Sequence, residues 1–338
     1  MVLLAFGGLD GEALILGNLG RGLISTAILT AIVGPGLPRW NWVAARELAS
    51  TAVPAAVASL SYQGFRNVDY AIVGAKLGAA TAGFYWRAFQ LGVEYQRKIT
   101  MVMMQMALPV YSRAEDLAHM RALRQRIVRV NAAVLFPILA MFIAIAPVLV
   151  PFVYGSPWEP AVVPSQILAG AGMVMALSTG MGPLVVAAGK PQALARWNVV
   201  LLVGYAATVF VSASAGGIVT VCAAVTAFYI VQLLVFHYFL LERLVGIPMR
   251  SLFYDVASAA TGSIALLLVA LPTVALLDGH EVAAPLVCVV ATALGLAAYL
   301  VVVRGLFPKT WQDLALLGRR VMPRLPRIFG GARAQSEG

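Results

Sequence analysis

Nine apolar runs, near 12–33, 50–75, 80–107, 130–153, 161–187, 197–214, 217–240, 254–276 and 283–303, occupy most of this 338-residue chain. Each is long enough to cross a bilayer, which takes about 20 residues. The expected fold is therefore all-α and integral to a membrane: a polytopic bundle of about nine transmembrane helices. The charge lies in the gaps between runs, and it alternates. Every second gap is basic: Arg39 and Arg46; Arg113, Arg121, Arg124, Arg126 and Arg129; Lys190 and Arg196; Arg243 and Arg250. The tail adds Arg304, Lys309, Arg319, Arg320, Arg324, Arg327 and Arg333. Eighteen basic residues thus share one side, against Lys76 alone in the opposite gaps. By the positive-inside rule the basic side is cytoplasmic, and so is the C-terminus.

Composition narrows the function. Only 11% of residues are charged, against about 25% in soluble domains. The net charge of +10 sits in the cytoplasmic gaps and tail, where it meets anionic lipid headgroups rather than nucleic acid. Cys222 and Cys288 lie within apolar spans and read as packing residues. His119, His237 and His280 fall in separate regions, so no zinc or haem arrangement is expected. No GxxxxGK[ST] loop points to ATP hydrolysis. No cofactor is expected.

The chain opens with an apolar Met1–Phe6 and a turn over Gly7–Gly11, with no basic n-region of a signal peptide. Nine spans ending in the cytoplasm place this start outside, so Met1–Phe6 reads as the end of an earlier helix and the chain as a fragment. Residues 34–49 read as a cytoplasmic linker, broken by Gly and Pro and marked by Trp40 and Trp42 at headgroup level. In the longest internal loop, 108–129, Leu117, Met120, Leu123 and Ile127 recur at near-helical spacing. That fits either a short helix on the inner membrane surface or a solvated loop. The exterior gaps, such as 212–217 and 278–282, are too short for a periplasmic domain. The tail from Arg304, interrupted by Pro308, Pro323 and Pro326, is expected to be mobile and lipid-associated.

Charges within spans carry the functional signal, because an Arg, Lys or Asp at a helix centre costs roughly 2.5–3.5 kcal/mol. The last six spans read as essentially uncharged, and the polar residues gather in the second and third. In the second, Gln63, Arg66, Asn67, Asp69 and Tyr70 crowd within about two turns, with Arg66, Asp69 and Tyr70 at intervals that share a face. In the third, Arg87, Gln90, Glu94 and Arg97 form a stripe. Two such stripes on consecutive helices fit a common water-filled cavity. A guanidinium there suits a phosphate or diphosphate, for which its planar fork offers two parallel donors. Tyr70, Tyr85 and Trp86 would stack on sugar rings or line the wall. The structural alternative is that Arg66–Asp69 and Arg87–Glu94 are internal ion pairs that fix packing. Arg97 and Lys98 would then snorkel towards an interface. Arg21, within GNLGRG, lies where glycines permit close helix approach. The MVMMQM run at 101–106 reads as a soft packing surface. Pro54, Pro137, Pro164 and Pro183 lie in spans and can act as hinges.

The run FRNVDYAIVGAKLGAATAGFYWRAFQL at 65–91 resembles the seventh-to-eighth helix region of bacterial polysaccharide flippases. These belong to the multidrug/oligosaccharidyl-lipid/polysaccharide exporter superfamily. MALPVYSRAED at 106–116, AIAPVLVPFVYGSPWEPAVVPSQILA at 144–169 and AAGKPQ at 187–192 resemble the same family. The resemblance implies the C-terminal part of a two-lobed MATE-like transporter. On that plan 1–11 is the remnant of a preceding helix with an external turn, and 12–49 the last helix of the first lobe with its linker. The second lobe is then 50–240, two additional helices fill 241–303, and a basic cytoplasmic tail fills 304–338. The implied activity moves an undecaprenyl-diphosphate-linked oligosaccharide from the cytoplasmic to the periplasmic leaflet of a bacterial inner membrane. Arg66 and Arg87 would contact the diphosphate, and Asn67, Asp69 and Gln90 the sugar, with Tyr70, Glu94 and Arg97 beside them. Implied partners are membrane lipids and the machinery of polysaccharide polymerisation and export. Two other readings compete. An exporter of small cationic drugs would favour cavity acids over bases. A membrane enzyme such as an O-antigen polymerase or ligase would need a sizeable external catalytic loop.

Overall fold

Each long apolar run becomes a helix wherever it is described, since only intrasegment hydrogen bonds satisfy a lone backbone in lipid. The computed structural model describes residues 10–33, 66–98, 116–279 and 282–321, with single positions at 42, 46, 64, 100, 101 and 111. The chain divides into two units, 1–62 and 63–338. In the first, α1 (Asp10–Val33) carries Arg21 between Gly20 and Gly22. The hydroxyls of Thr26 and Thr30 donate back to the carbonyls of Gly22 and Thr26, at 2.9 and 2.8 Å.

The second unit runs α2 (66–77), α3 (Ala79–Phe89) and a π-turn at Gln90–Glu94, helical on to 98. Then come α4 (Leu117–Tyr154), a 3-10 turn at Ser156–Ala161, α5 (Val162–Leu177), α6 (Met181–Ala187) and α7 (Pro191–Ala215). α8 (Ile218–Phe236) passes through a π-turn at His237–Glu242, and α9 (Arg250–Asp278), α10 (Ala284–Leu306) and α11 (Pro308–Val321) follow. Six helical stretches are long and apolar enough to cross a membrane: 118–154, 156–187, 192–215, 218–245, 250–278 and 284–306. They correspond to the last six expected runs. α1 falls on the first. The second and third are described only in part, and the MVMMQM run, Pro54 and the 34–49 linker lie almost wholly outside the described residues.

α4 is the mast of this unit, packed against α5, α9 and α10. It contains Pro137 and Pro147, each of which lacks the N–H that would bond the carbonyl four residues earlier. Neighbouring helices supply the missing donors. Tyr299 Oη of α10 donates to Ala133 O at 2.8 Å, and Gln166 Nε2 of α5 donates to Ile143 O at 2.7 Å.

Three local expectations need correction. Leu117–Ile127 is neither a separate surface helix nor a loop. It is the start of α4, capped where Asp116 accepts from His119 N at 2.7 Å. Met120, Leu123 and Ile127 pack on the core that holds Val128, Leu135 and Leu241, so their periodicity records protein packing. The 161–187 run is broken after Leu177, where Gly180 adopts φ +77 and a Cβ would press within 2.8 Å of Tyr111 Oη. Asn131 Nδ2 spans the break, donating to Ala176 O at 2.9 Å and Thr179 Oγ1 at 2.7 Å. Finally, the tail begins as a docked helix rather than a mobile segment. On α11, Thr310 Oγ1 donates to Ser258 Oγ at 3.0 Å, and Asp313 pairs with Arg129 at 2.9 Å and Arg126 at 3.4 Å. Residues 322–338 lie outside the described residues.

The basic gaps meet at one end of the unit. Arg121 donates to Gly246 O, Lys190 Nζ to Leu244 O at 3.0 Å, and Met249 N to Glu242 Oε2 at 3.0 Å. Three of the gaps expected to share a side, those around Arg121, Lys190 and Arg243–Arg250, are thereby joined to one another and, through Arg129, to the start of the tail.

Candidate functional site

The polar residues of α2 and α3 resolve into three centres. The first is a shared carboxylate. Glu94 is 8% exposed, and its Oε1 accepts from Arg66 Nη2 of α2 at 2.9 Å and from Arg97 Nη1 at 2.6 Å. One negative charge therefore serves two guanidinium groups and ties the two helices together.

The second centre is Asp69, 1% exposed. Its Oδ2 accepts from Tyr85 Oη at 3.0 Å and Tyr205 Oη at 2.9 Å, and its Oδ1 from Tyr70 N at 3.0 Å. Tyr205 comes from α7, and its ring stands 5.9 Å from that of Tyr229 on α8. Tyr85 is fully buried, so its ring belongs to the core and not to an open wall. Tyr70 meets Tyr85 and Phe89 edge-on at 5.7 and 5.9 Å.

The third centre is Arg87. Its guanidinium stands over the rings of Tyr154 at 4.4 Å and of Trp86 and Trp158 at 5.1 Å each. Stacking of this kind suits arginine, which is more weakly hydrated than lysine. Among the described residues its buried Nε meets no acceptor.

The ion pairs weighed from the sequence, Arg66–Asp69 and Arg87–Glu94, give way to this arrangement. Asp69 is taken by the tyrosines, and for Arg87 and Glu94 the reason is the π-turn. Gln90, Leu91, Gly92, Val93 and Glu94 close a wider loop of backbone, with Tyr95 N bonded to Gln90 O. One inserted residue turns everything beyond it by roughly 100° relative to a regular helix. Arg87 before the turn and Glu94 with Arg97 after it therefore leave the common stripe that regular spacing predicts. Gln90 opens the turn, half-buried, and Asn67 is exposed on α2.

Glu94→Leu measures what the shared carboxylate contributes. Removing one member of a fully buried pair costs about 3–5 kcal/mol, but the Arg66 side chain is 31% exposed, so water screens part of the loss. A fall of about 1–2 kcal/mol is expected, between the surface and buried limits. It would be read as a lowered melting temperature in detergent. An unchanged melting temperature would show that solvent already carries these charges.

Sequence reasoning missed a fourth polar centre at the basic end. Arg124 of α4 is fully buried, facing Ser251 Oγ at 3.2 Å, Asp255 Oδ2 at 3.5 Å and His237 Nδ1 at 3.5 Å. Asp255 lies in the eighth run, so the last six spans are not free of charge. The signal was a carboxylate and an imidazole inside apolar runs. Among the described residues no group of His, Cys, Asp and Glu is arranged to hold a metal ion.

With this geometry in view, two likenesses bear on function. The family model described as polysaccharide biosynthesis protein matches residues 1–163, just under half of the chain; the match takes in Arg66, Asp69, Arg87, Glu94 and Arg97 but not Tyr205. The teichuronic acid biosynthesis protein TuaB of Bacillus subtilis (strain 168) is 22% identical over 254 residues, 75% of this chain and 52% of that protein. These likenesses connect the chain with polysaccharide biosynthesis. The chain spans about half the length of the curated relative it matches. No solved structure matches it. The membrane-capable helices and the family match together describe a multi-pass membrane protein.

Proposed function

We propose that the protein moves an undecaprenyl-diphosphate-linked oligosaccharide from the cytoplasmic to the periplasmic leaflet of a bacterial inner membrane, by alternating access and without covalent chemistry. Its C-terminus is cytoplasmic, on the basic side, and it works beside the enzymes that polymerise and export the polysaccharide. The observation that carries this reading is the charge balance of α2 and α3. Three arginines, Arg66, Arg87 and Arg97, stand against Glu94, while Asp69 is enclosed by tyrosines. A cation without a carboxylate partner within a span is costly; among the described residues Arg87 forms no ion pair, and a diphosphate would neutralise it. Arg87, with an aromatic surround and an Nε–H that meets no acceptor among the described residues, is the strongest diphosphate contact, followed by Arg66. Asn67, Tyr70 and Gln90 stand nearby as sugar-side residues, while Asp69, buried and held by Tyr85 and Tyr205, serves packing instead. An exporter of cationic drugs would need the opposite balance. A polymerase or ligase would need external room that the Gly216–Gly217 and 279–283 gaps lack.

The test is Arg87→Ala in the gene that encodes this chain, expressed in cells lacking the chromosomal copy. Losing a charge-assisted hydrogen bond costs about 1.5–3 kcal/mol, so surface polysaccharide should fall roughly ten- to hundredfold at unchanged protein abundance. Arg87→Lys should recover only part of it, because lysine keeps the charge but loses the planar fork. A parallel fall in abundance would make Arg87 a packing residue.

A further inference from the structure

The outer side of α9 carries two separate hollows. At its basic end a cleft of about 270 Å³ is lined by Arg121, Gln125, Pro248, Arg250, Ser251 and Tyr254. Further along, a groove of about 260 Å³ is lined by Ile264, Leu267, Leu268, Leu271 and Pro272. We infer that together they hold one anionic glycerophospholipid, its phosphate in the cleft and an acyl chain in the groove.

The chemistry of the cleft favours an anion. It has two arginines and no acidic lining residue, and among the described residues neither arginine has a carboxylate partner. Arg121 uses one terminal nitrogen on Gly246 O, while its buried Nε–H meets no acceptor among the described residues. Arg250 is exposed, and Tyr254 beside it is 79% exposed. Basic pockets between helices at the cytoplasmic surface take lipid headgroups in this way.

Geometry joins the cleft to the groove. Arg250 and Leu268 are 18 residues apart, as are Tyr254 and Pro272. Eighteen residues make five whole turns at 3.6 per turn, so each pair lies on one side of the helix. Ile264 and Pro272 stand about 15 and 27 Å along the axis from Tyr254, at 1.5 Å per residue. That interval brackets the depth of about 20 Å at which an acyl chain ends, a headgroup layer plus half of a 30 Å core. Between them the same side carries Ala257 and Thr261, small enough to leave a track for the chain. A free phosphate would explain the cleft but not the groove, and this assignment holds whether or not an oligosaccharide is moved.

The experiment is native mass spectrometry of the full chain in non-ionic detergent with equal phosphatidylglycerol and phosphatidylcholine. Phosphatidylglycerol adducts should dominate. Arg250→Gln should weaken them about fivefold, the contribution of one surface basic residue, and Arg250→Lys should retain them. Leu268→Trp, which fills the groove and leaves every charge in place, should weaken them too. Both positions are exposed, and an unchanged melting temperature would confirm the fold. If Arg250→Gln misfolds, the Leu268→Trp comparison decides alone. Undiminished adducts in both variants would overturn the assignment. So would displacement by inorganic phosphate with no effect of Leu268→Trp, or preference for a polyprenyl diphosphate over phosphatidylglycerol.

Discussion

A Gly92→Ala chain is expected to yield little folded protein. A Cβ at this position would lie 2.6 Å from both Ala169 N and Leu168 C. Both are backbone atoms of α5, so no side chain can swing aside. The contact is reciprocal, since a Cβ on Gly172 would lie 2.2 Å from Gly92 O. Small residues let helix backbones approach this closely, and packing is what holds helices together in lipid. Separating α3 from α5 would open the core built by Phe89, Val93, Leu168 and Ala171. Overpacking costs typically 1–3 kcal/mol, and a backbone clash from both sides belongs at or above about 3 kcal/mol. Gly83→Ala is the control. It lies on α3 with nothing within 4 Å of its Cβ, and alanine there should stabilise the helix by up to about 1 kcal/mol. Equal melting temperatures for the two variants would disprove the close approach.

Arg124→Ala should be comparably damaging, for an electrostatic reason. The substitution leaves Asp255 buried at 3% exposure with its cation gone, and strips a partner from Ser251 and His237. Breaking a buried pair from one side costs about 3–5 kcal/mol. Removing both charges is a different matter, because well-packed apolar replacements for a buried pair are often neutral or better. Arg124→Met with Asp255→Leu should therefore recover most of the loss. A double-mutant cycle read by thermal unfolding would show this as strong positive coupling. If the double variant is as unstable as the single one, the shape of Arg124 matters more than its charge.

These two sites show where the sequence was readable and where it was not. Hydropathy is a local property, so the last six runs could be placed from the chain alone. The side on which their basic gaps fall proved equally legible: Arg121, Lys190 and the 243–250 segment meet at one end. The concentration of polar residues at 66–97 was visible too, because charge in an apolar run stands out against its neighbours. Their pairing was not. A π-turn leaves no mark in the sequence, yet it decides that Glu94 faces Arg66 while Arg87 faces Tyr154 and Trp158. The tyrosine that completes Asp69 lies 136 residues downstream. Arg124 looks like any other arginine of a basic segment, and only the packing of α8 and α9 around it makes it a core residue. The docking of α11 was hidden for the same reason: Asp313 acquires meaning only beside Arg126 and Arg129.

The prolines of α4 impose an order in time. Gln166 follows Ile143 by 23 residues, so that carbonyl finds its donor almost as soon as α5 leaves the ribosome. Ala133 waits for Tyr299, 166 residues later. At about 5–20 residues per second, that is roughly 8–33 s during which a carbonyl of a nascent membrane helix has lost its own N–H and has not met its replacement. Until α10 arrives, α4 is an unfinished element whose backbone must be shielded by water, by lipid headgroups or by the insertion machinery. Tyr299 thus acts as a completion signal: the Ala133 carbonyl, in the helix around which this unit is built, meets its donor only once α10 has been made.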